Sequence, residues 1–66
     1  MNKIKIRINT GNDAFVTLPG REIARILREL ARSFAVGDHP AYAKDWNGNI
    51  VCNVKYFDES GKRIEL

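Results

Sequence analysis

One segment of the chain, Pro19 to Phe34, has the hydrophobic pattern of an amphipathic helix. Its apolar residues recur at intervals of three and four, which places them on one side of a helix with 3.6 residues per turn. They are Ile23, Ile26, Leu27, Leu30 and Phe34. Pro19 suits the first position of a helix. Gly37 and Pro40 favour its end, so we expect the helix to stop near Val36.

Strict alternation of apolar and polar residues predicts a first strand before the helix. Lys3 to Asn9 reads KIKIRIN, and its isoleucines therefore share one face, which we expect to be buried. After a turn, Ala14 to Leu18 is apolar and partly β-branched. This second segment has two interpretations: a short returning strand, or an irregular loop that places Phe15 in the core.

A hairpin is predicted after the helix. Tyr42 to Trp46 and Asn49 to Phe57 flank Asn47-Gly48, a dipeptide that tolerates the positive φ angles of a type I′ turn. A second turn, Asp58 to Gly61, precedes Lys62 to Leu66, which can add an edge strand.

The order of elements predicts an α+β fold, β(β)αββ(β), in which brackets mark strands that the pattern leaves open. One helix packs on one face of an antiparallel sheet of three to five strands, and residues 1–66 form a single domain. The predicted core consists of Ile4, Ile6, Ile8, Phe15, Ile23, Ile26, Leu27, Leu30, Phe34, Ile50, Cys52 and Val54.

Composition and charge narrow the class of protein. The 66 residues carry a formal net charge of +3, with a sequence pI near 9.4, which is mildly basic. A single cysteine, Cys52, excludes an internal disulfide and a multi-cysteine zinc site. No apolar run approaches the roughly 20 residues of a membrane span, and the N-terminus alternates instead of forming a signal sequence. We therefore expect a cytoplasmic protein without a membrane partner.

The sharpest candidate for a binding surface is a row of arginines on the polar side of the helix. Arg21, Arg25, Arg28 and Arg32 fall within an arc of roughly 60°, and we call this row the arginine ridge. Guanidinium groups bind carboxylates and phosphates in pairs, so the ridge suits an acidic protein surface or a nucleic-acid backbone. The alternative is a solvated helix face, supported by ion pairs with Glu22 and Glu29.

Two further sets of residues are candidates for binding. Lys3, Lys5 and Arg7 share the outward face of the first strand, on the far side of the sheet from the ridge, where they can also discourage edge-to-edge aggregation. Alternation places Tyr42, Lys44 and Trp46 on one face of the hairpin. Those aromatic rings suit base stacking, a protein-binding anchor, or packing within the sheet.

Catalysis and metal binding have little support in the sequence. His39, the single histidine, lies in a predicted loop, and no acid or nucleophile is arranged around it by a recognisable spacing. A metal held by His39, Asp38 and Asp45 would need a fourth ligand. Asp45 to Asn49 resembles part of a calcium loop but lacks the downstream glutamate. We expect no enzyme activity, no cofactor and no metal.

Three segments resemble small, mostly uncharacterised proteins of bacteria and of their phages or other mobile elements. They are IRINT-x-N-x-AF (Ile6 to Phe15), PG-x-E-x-ARILR-x-LA (Pro19 to Ala31) and D-x-NGN (Asp45 to Asn49). The resemblance implies an accessory protein that binds and inhibits a host component, as anti-CRISPR proteins do. Many such inhibitors mimic DNA and are acidic, whereas this chain is basic, so DNA mimicry is disfavoured.

The leading hypothesis is a non-enzymatic protein-binding module of the phage-encoded, anti-CRISPR-like type. It would dock, as a monomer or homodimer, on a larger host protein or nucleoprotein complex with an acidic surface, and block it. The predicted contacts are Arg21, Arg25, Arg28, Arg32, Tyr42 and Trp46. One alternative is a module that binds DNA or RNA directly through the arginine ridge. Another is a small regulator that dimerises through an exposed strand.

Overall fold

The helix and the strands that the pattern predicts are present in a computed structural model, which describes residues 2–66. Four strands, a single turn of 3₁₀ helix and one α-helix make up the described part of the chain. In chain order they are β1 (Lys3–Ile8), the 3₁₀ turn (Asp13–Phe15), α1 (Pro19–Ala35), β2 (Tyr42–Lys44), β3 (Ile50–Phe57) and β4 (Arg63–Ile64). The predicted α+β fold with an antiparallel sheet is confirmed.

Strand β3 is the centre of the sheet and pairs antiparallel with the other three strands. β1 runs along one edge of β3, from Lys3 opposite Phe57 to Ile8 opposite Cys52. β2 and β4 pair with the two ends of β3 and therefore share its other edge. Since paired residues point to the same side, this register separates an inner apolar face from an outer polar face.

Helix α1 is closed at its C-terminal end by a glycine in the left-handed region. Gly37 has φ +87°, and its N–H donates to the carbonyl of Phe34 at 3.0 Å. The N–H of Asp38 donates to the carbonyl of Ser33 at 2.9 Å, which completes a Schellman motif. The helix thus ends at Ala35, within one residue of the prediction.

The core lies between α1, the 3₁₀ turn and the β2–β3 side of the sheet. Its buried apolar residues are Ala14, Phe15, Ile26, Leu30, Ala43, Val51, Cys52, Val54 and Tyr56. Ile8, Ile23, Phe34 and Ile64 are partly buried against them. The prediction was wrong for four residues, which are exposed: Ile4, Ile6, Leu27 and Ile50.

Two physical causes explain three of these four errors. Ile4 and Ile6 point to the inner face, but α1 packs chiefly against β2 and the 3₁₀ turn, so they remain 38% and 45% exposed. Leu27 is exposed on α1 as well. The register of β3 shifts by one residue beside β2, and Val51 is buried there instead of Ile50.

The segment after β1 forms the 3₁₀ turn and no strand. The side-chain oxygen of Asn12 accepts a hydrogen bond from the N–H of Ala14 at 3.0 Å, and the N–H of Phe15 donates to the carbonyl of Asn12 at 3.1 Å. This cap starts the 3₁₀ turn directly and buries Phe15. The loop interpretation of Ala14 to Leu18 is therefore the right one.

The turn between β2 and β3 differs from the predicted type I′ turn. Gly48 has φ +89°, but Asn47 does not have a positive φ. The N–H of Gly48 donates to the carbonyl of Asp45 at 3.0 Å, and the N–H of Asp45 to the carbonyl of Asn49 at 2.8 Å. This is a three-residue loop, a type I turn followed by a left-handed glycine.

The cause of this turn geometry is the Asp45 side chain. Its carboxylate accepts hydrogen bonds from the backbone N–H groups of Asn47 and Asn49, both at 2.9 Å. A second loop of the same kind joins β3 to β4, where Asp58 accepts from the N–H groups of Ser60 and Lys62. An aspartate at the first position therefore selects the same loop twice.

Candidate functional site

A buried carboxylate on α1 fixes the position of the β2–β3 loop. Glu22, only 7% exposed, accepts hydrogen bonds from Arg25 Nε at 2.7 Å and Nη2 at 3.0 Å. It also accepts one from the backbone N–H of Trp46 at 2.8 Å. Arg25 in turn donates to the main-chain carbonyl of Lys44 at 2.8 Å and to Glu29 at 3.1 Å. Helix and loop are therefore joined by charge-assisted hydrogen bonds.

A second buried carboxylate joins the same loop to the 3₁₀ turn. Asp45 is 4% exposed, and besides the backbone groups of its own loop it accepts from Asn12 Nδ2 at 2.7 Å. Asn12 caps the 3₁₀ turn through its other side-chain atom. The 3₁₀ turn and α1 are thus both joined, through Asp45 and Glu22, to a loop that is distant from them in sequence.

Both carboxyl groups have lowered pKa values. The hydrogen bond from Arg25 is the largest influence on the pKa of Glu22 and lowers it, more than burial raises it. Burial is the largest influence on Asp45 and would raise its pKa, but hydrogen bonds from Asn49, Asn12 and Asn47 together outweigh it. Each group is therefore held as a carboxylate at neutral pH.

This junction forms one wall of an open cleft of about 430 Å³ between α1 and the β2–β3 loop, which we call the helix–loop cleft. Its lining residues are Asp13, Ala14, Thr17, Leu18, Arg21, Glu22, Arg25, Arg28 and Trp46. Trp46 is 67% exposed although its backbone is fixed by the buried Glu22. The cleft presents a positioned indole ring beside arginines.

The structure brings some of the predicted contact residues together and separates others. Arg21, Arg28 and Trp46 lie in the helix–loop cleft. Arg25 also lines it, but its guanidinium donates hydrogen bonds to Glu22, Glu29 and the Lys44 carbonyl. The two pairs with glutamates are those expected for a solvated helix face. Arg32 is exposed on α1 and does not line the cleft.

Tyr42 and Trp46 do not share a face, contrary to the alternation argument. Strand β2 ends at Lys44, and the chain then turns at Asp45, so the period of two no longer applies to Trp46. Tyr42 stays opposite Asn53 on the outer face of the sheet and is 53% exposed. Trp46 instead lies beside α1, in the helix–loop cleft.

The outer face of the sheet carries the second predicted basic set. Lys3, Lys5 and Arg7 of β1 are opposite Phe57, Lys55 and Asn53 of β3 respectively. Two of them, Lys3 and Lys5, place their ammonium groups 5.4 and 5.5 Å from the centre of the Phe57 ring. This set lies on the side of the sheet away from α1, as the alternation predicted.

Lys5 and Lys55 form a like-charge pair directly across β1 and β3. Lys5→Glu is expected to raise the free energy of unfolding by about 0.5 kcal/mol, because an opposite-charge pair replaces a repulsive one. Urea denaturation of both proteins measures this difference. Lys5→Gln removes the repulsion without adding a partner, so its free energy of unfolding should lie between those of the unmodified chain and Lys5→Glu. A Lys5→Glu protein less stable than the unmodified chain would show that the two ammonium groups do not interact.

The other candidates for chemistry are a metal-binding cluster, the histidine and the cysteine. Among residues 2–66 there is no group of three or more His, Cys, Asp and Glu side chains that could hold a metal ion. His39 packs edge-on against the ring of Tyr56, with centroids 6.1 Å apart. Burial raises the pKa of the Cys52 thiol, which favours its neutral form. Within the same residues, no helix has the length and apolar character needed to cross a membrane.

The described residues define a small α+β domain whose candidate site is a surface cleft. Comparison of this chain with protein-family models, with curated proteins and with solved structures finds no match.

Sequence reasoning missed the two carboxylates that build the site. The sequence suggested Glu22 only as an ion-pair partner on a solvated helix face, and Asp45 only as an incomplete metal ligand in a segment that resembles part of a calcium loop. A signal for Asp45 was present, since Asp-x-x-Gly occurs both at residues 45–48 and at residues 58–61. The contact of Glu22 with the Trp46 backbone depends on tertiary packing and has no local signal.

Proposed function

We propose that this chain is a non-enzymatic protein-binding module, which docks through the helix–loop cleft on an acidic surface of a larger protein. The observation that carries the proposal is the position of Trp46. Its side chain is largely exposed, while its backbone N–H is bonded to the buried carboxylate of Glu22. Exposed tryptophan and arginine side chains are the residue types that dominate binding energy at protein interfaces.

The surroundings of Trp46 favour an acidic protein as the partner. Arg21 and Arg28 line the cleft, and neither forms an ion pair with a described residue. Guanidinium groups bind carboxylates with two parallel hydrogen bonds, which adds specificity to the apolar contact of the indole. Because the loop is already fixed to α1 and to the 3₁₀ turn, little ordering is required on binding. Docking would block the partner by occupying its surface.

The more specific hypothesis is a phage-encoded, anti-CRISPR-like inhibitor of a host defence nucleoprotein complex, acting in the cytoplasm. It depends on the sequence resemblance and on the basic character of the chain. This more specific role stays a prediction.

Direct binding of DNA or RNA by the arginine ridge is the less favoured alternative. Arg25 is neutralised by two glutamates, and the acidic residues Asp13 and Glu22 line the same cleft. This mixed charge suits a protein surface better than a phosphate backbone. A regulator that dimerises through β1 is supported by the free edge of that strand and by exposed Ile4 and Ile6. Light scattering distinguishes that regulator from a monomer.

The proposal is tested by affinity capture from bacterial lysate with the tagged chain, before and after nuclease treatment. We expect a stoichiometric protein that survives nuclease and is lost with the double variant Arg21→Glu/Arg28→Glu. The matched control is Lys5→Glu/Lys55→Glu, which changes the net charge equally on the opposite face and should retain the partner. Trp46→Ala should weaken capture by about tenfold or more, as truncating an interface anchor does.

Three outcomes would contradict the proposal. Capture that both double variants lose equally would reflect net charge only. Recovery of nucleic acid alone, lost after nuclease, would support direct nucleic-acid binding. Capture unaffected by Trp46→Ala would remove the helix–loop cleft from the account.

A further inference from the structure

The outer face of the sheet concentrates positive charge on the side away from the helix–loop cleft. Strand register places six of the eleven Lys and Arg residues at positions on this face. They are Lys3, Lys5, Arg7, Lys44, Lys55 and Arg63. None of the six forms an ion pair with a described residue, since both ion pairs of residues 2–66 belong to Arg25. The outward-facing strand positions contain no acidic residue.

Protection of a sheet edge does not explain this charge. Lysines on an edge strand discourage aggregation, and β1 is such a strand. Lys55, however, lies on the central strand β3, directly opposite Lys5. A like-charge pair at that position destabilises the sheet and protects no edge. An anionic ligand would relieve the repulsion.

Aromatic rings lie among these cations. Tyr42 is half exposed at one end of the face, and Phe57 is partly exposed at the other, beneath the ammonium groups of Lys3 and Lys5. Phe57 lies four positions along β3 from Asn53, the cross-strand partner of Tyr42. The two rings are therefore about 13 Å apart along the strands, at about 3.3 Å per residue.

The space between the rings is shaped to receive a polar ligand. A shallow hollow of about 310 Å³ is lined by Lys5, Arg7, Asn53 and Lys55. The Asn53 side chain offers both a donor and an acceptor to a base edge, and the three cations surround it. Alternating aromatic and cationic groups along one surface are the arrangement that binds bases by stacking and phosphates by charge.

We propose that this outer face binds single-stranded nucleic acid, with phosphates on Lys5, Arg7 and Lys55 and a base stacked on the exposed ring of Tyr42. A duplex is disfavoured, because its bases are reached through grooves that admit a helix or a two-stranded ribbon, and α1 lies on the other side of the sheet. An acidic protein strand would satisfy the charge but leaves the aromatic rings unexplained. The proposal is independent of the helix–loop cleft, and the two can fail separately.

The test is fluorescence anisotropy of a labelled twelve-nucleotide oligothymidylate and an oligouridylate, each titrated with the full chain at several salt concentrations. With three cations engaged, the logarithm of the association constant should fall with the logarithm of salt concentration with a slope of about −2. Lys5→Glu/Lys55→Glu should weaken binding by about tenfold or more at about 50 mM salt. Tyr42→Ala should weaken it by about fivefold or more.

Controls separate the site from net charge and from folding. Arg28→Glu/Arg32→Glu makes the same charge change on α1 and should weaken binding by less than about threefold. Lys5→Glu alone is expected to be more stable than the unmodified chain, so a loss of binding by that variant cannot result from unfolding. Absence of binding at low salt would overturn the proposal, as would tighter binding of a hairpin duplex. Equal weakening by the two double variants, or stronger binding of polyglutamate than of the oligonucleotides, would also overturn it.

Discussion

Asp45→Ala is expected to lower the midpoint of thermal unfolding by more than about 10 °C, the largest effect of any single surface-loop substitution in this chain. The carboxylate is 4% exposed and accepts from three backbone or side-chain groups within 3.0 Å, on Asn12, Asn47 and Asn49. Removing it leaves these donors without their partner and frees the β2–β3 loop from the 3₁₀ turn. Circular dichroism during heating measures the shift.

Asp58→Ala is the matched control for Asp45→Ala. Asp58 starts the same kind of loop and accepts from the N–H groups of Ser60 and Lys62, but those bonds are exposed and connect nothing outside the loop. Its loss should lower the midpoint by no more than about 4 °C. Equal shifts for the two variants would show that Asp45 only shapes its own turn and does not join its loop to the 3₁₀ turn.

Glu22→Ala is expected to lower the free energy of unfolding by about 2 kcal/mol. The substitution leaves the Trp46 N–H and the Arg25 guanidinium without their shared acceptor. Breaking a buried ion pair costs about 3 to 5 kcal/mol, and the smaller figure reflects Arg25, which is 40% exposed and keeps other partners. Urea denaturation provides the measurement.

Glu29→Ala is the control for this variant, because Glu29 also pairs with Arg25 but is exposed. It should cost less than about 0.5 kcal/mol. Equal costs for Glu22→Ala and Glu29→Ala would contradict the account of the junction. Glu22→Ala should also reduce partner capture more than Glu29→Ala does, since only Glu22 holds the Trp46 backbone.

Acidification gives a second readout of the same junction. The pKa values of Glu22 and Asp45 are lowered in the folded chain, so near pH 4 the unfolded chain binds more protons than the folded chain. Their contribution to stability is complete above the unfolded pKa values of about 4 and is lost as pH falls through the lowered folded values. The temperature midpoint of unfolding should therefore decrease as the pH is lowered from 5 to 2. This fall should be smaller in Glu22→Ala.

The elements of this fold follow from local pattern, because period is a strong and local signal. The alternation in β1 and in β3, and the apolar spacing of α1, predicted which residues share a face. The pattern did not predict how exposed each residue is. The exposure of Ile4 and Ile6 depends on where α1 crosses the sheet, and α1 lies toward β2. The inner face of β1 is thus known from sequence, but its burial is a property of the packing.

The site was only partly predictable for a similar reason. The spacing of the four arginines predicted that they lie on one side of α1. The spacing does not show which of them are free to bind a partner. Packing commits Arg25 to Glu22 and to the Lys44 carbonyl, and leaves Arg21 and Arg28 beside Trp46. The turn at Asp45 decides the side on which Trp46 lies. No pattern in the residues before or after it gives that direction.

The two proposed binding surfaces lie on different sides of the chain. Helix α1 and the β2–β3 loop present an aromatic and cationic cleft on one side, and the sheet presents a basic face on the other. If both proposals hold, the chain can bind a protein and a nucleic acid at the same time. That arrangement would suit a partner that is itself a nucleoprotein.

The most direct test of the helix–loop cleft is NMR of the isotopically labelled chain titrated with its captured partner. The chain has one tryptophan, so the indole N–H of Trp46 gives a single resolved signal. We predict that the largest chemical-shift changes occur at this signal and at the side-chain N–H groups of Arg21 and Arg28, while the amides of Lys5 and Lys55 do not move. A complex that leaves the Trp46 signal unchanged, or shifts concentrated on the outer face of the sheet, would show that the partner does not dock in the helix–loop cleft.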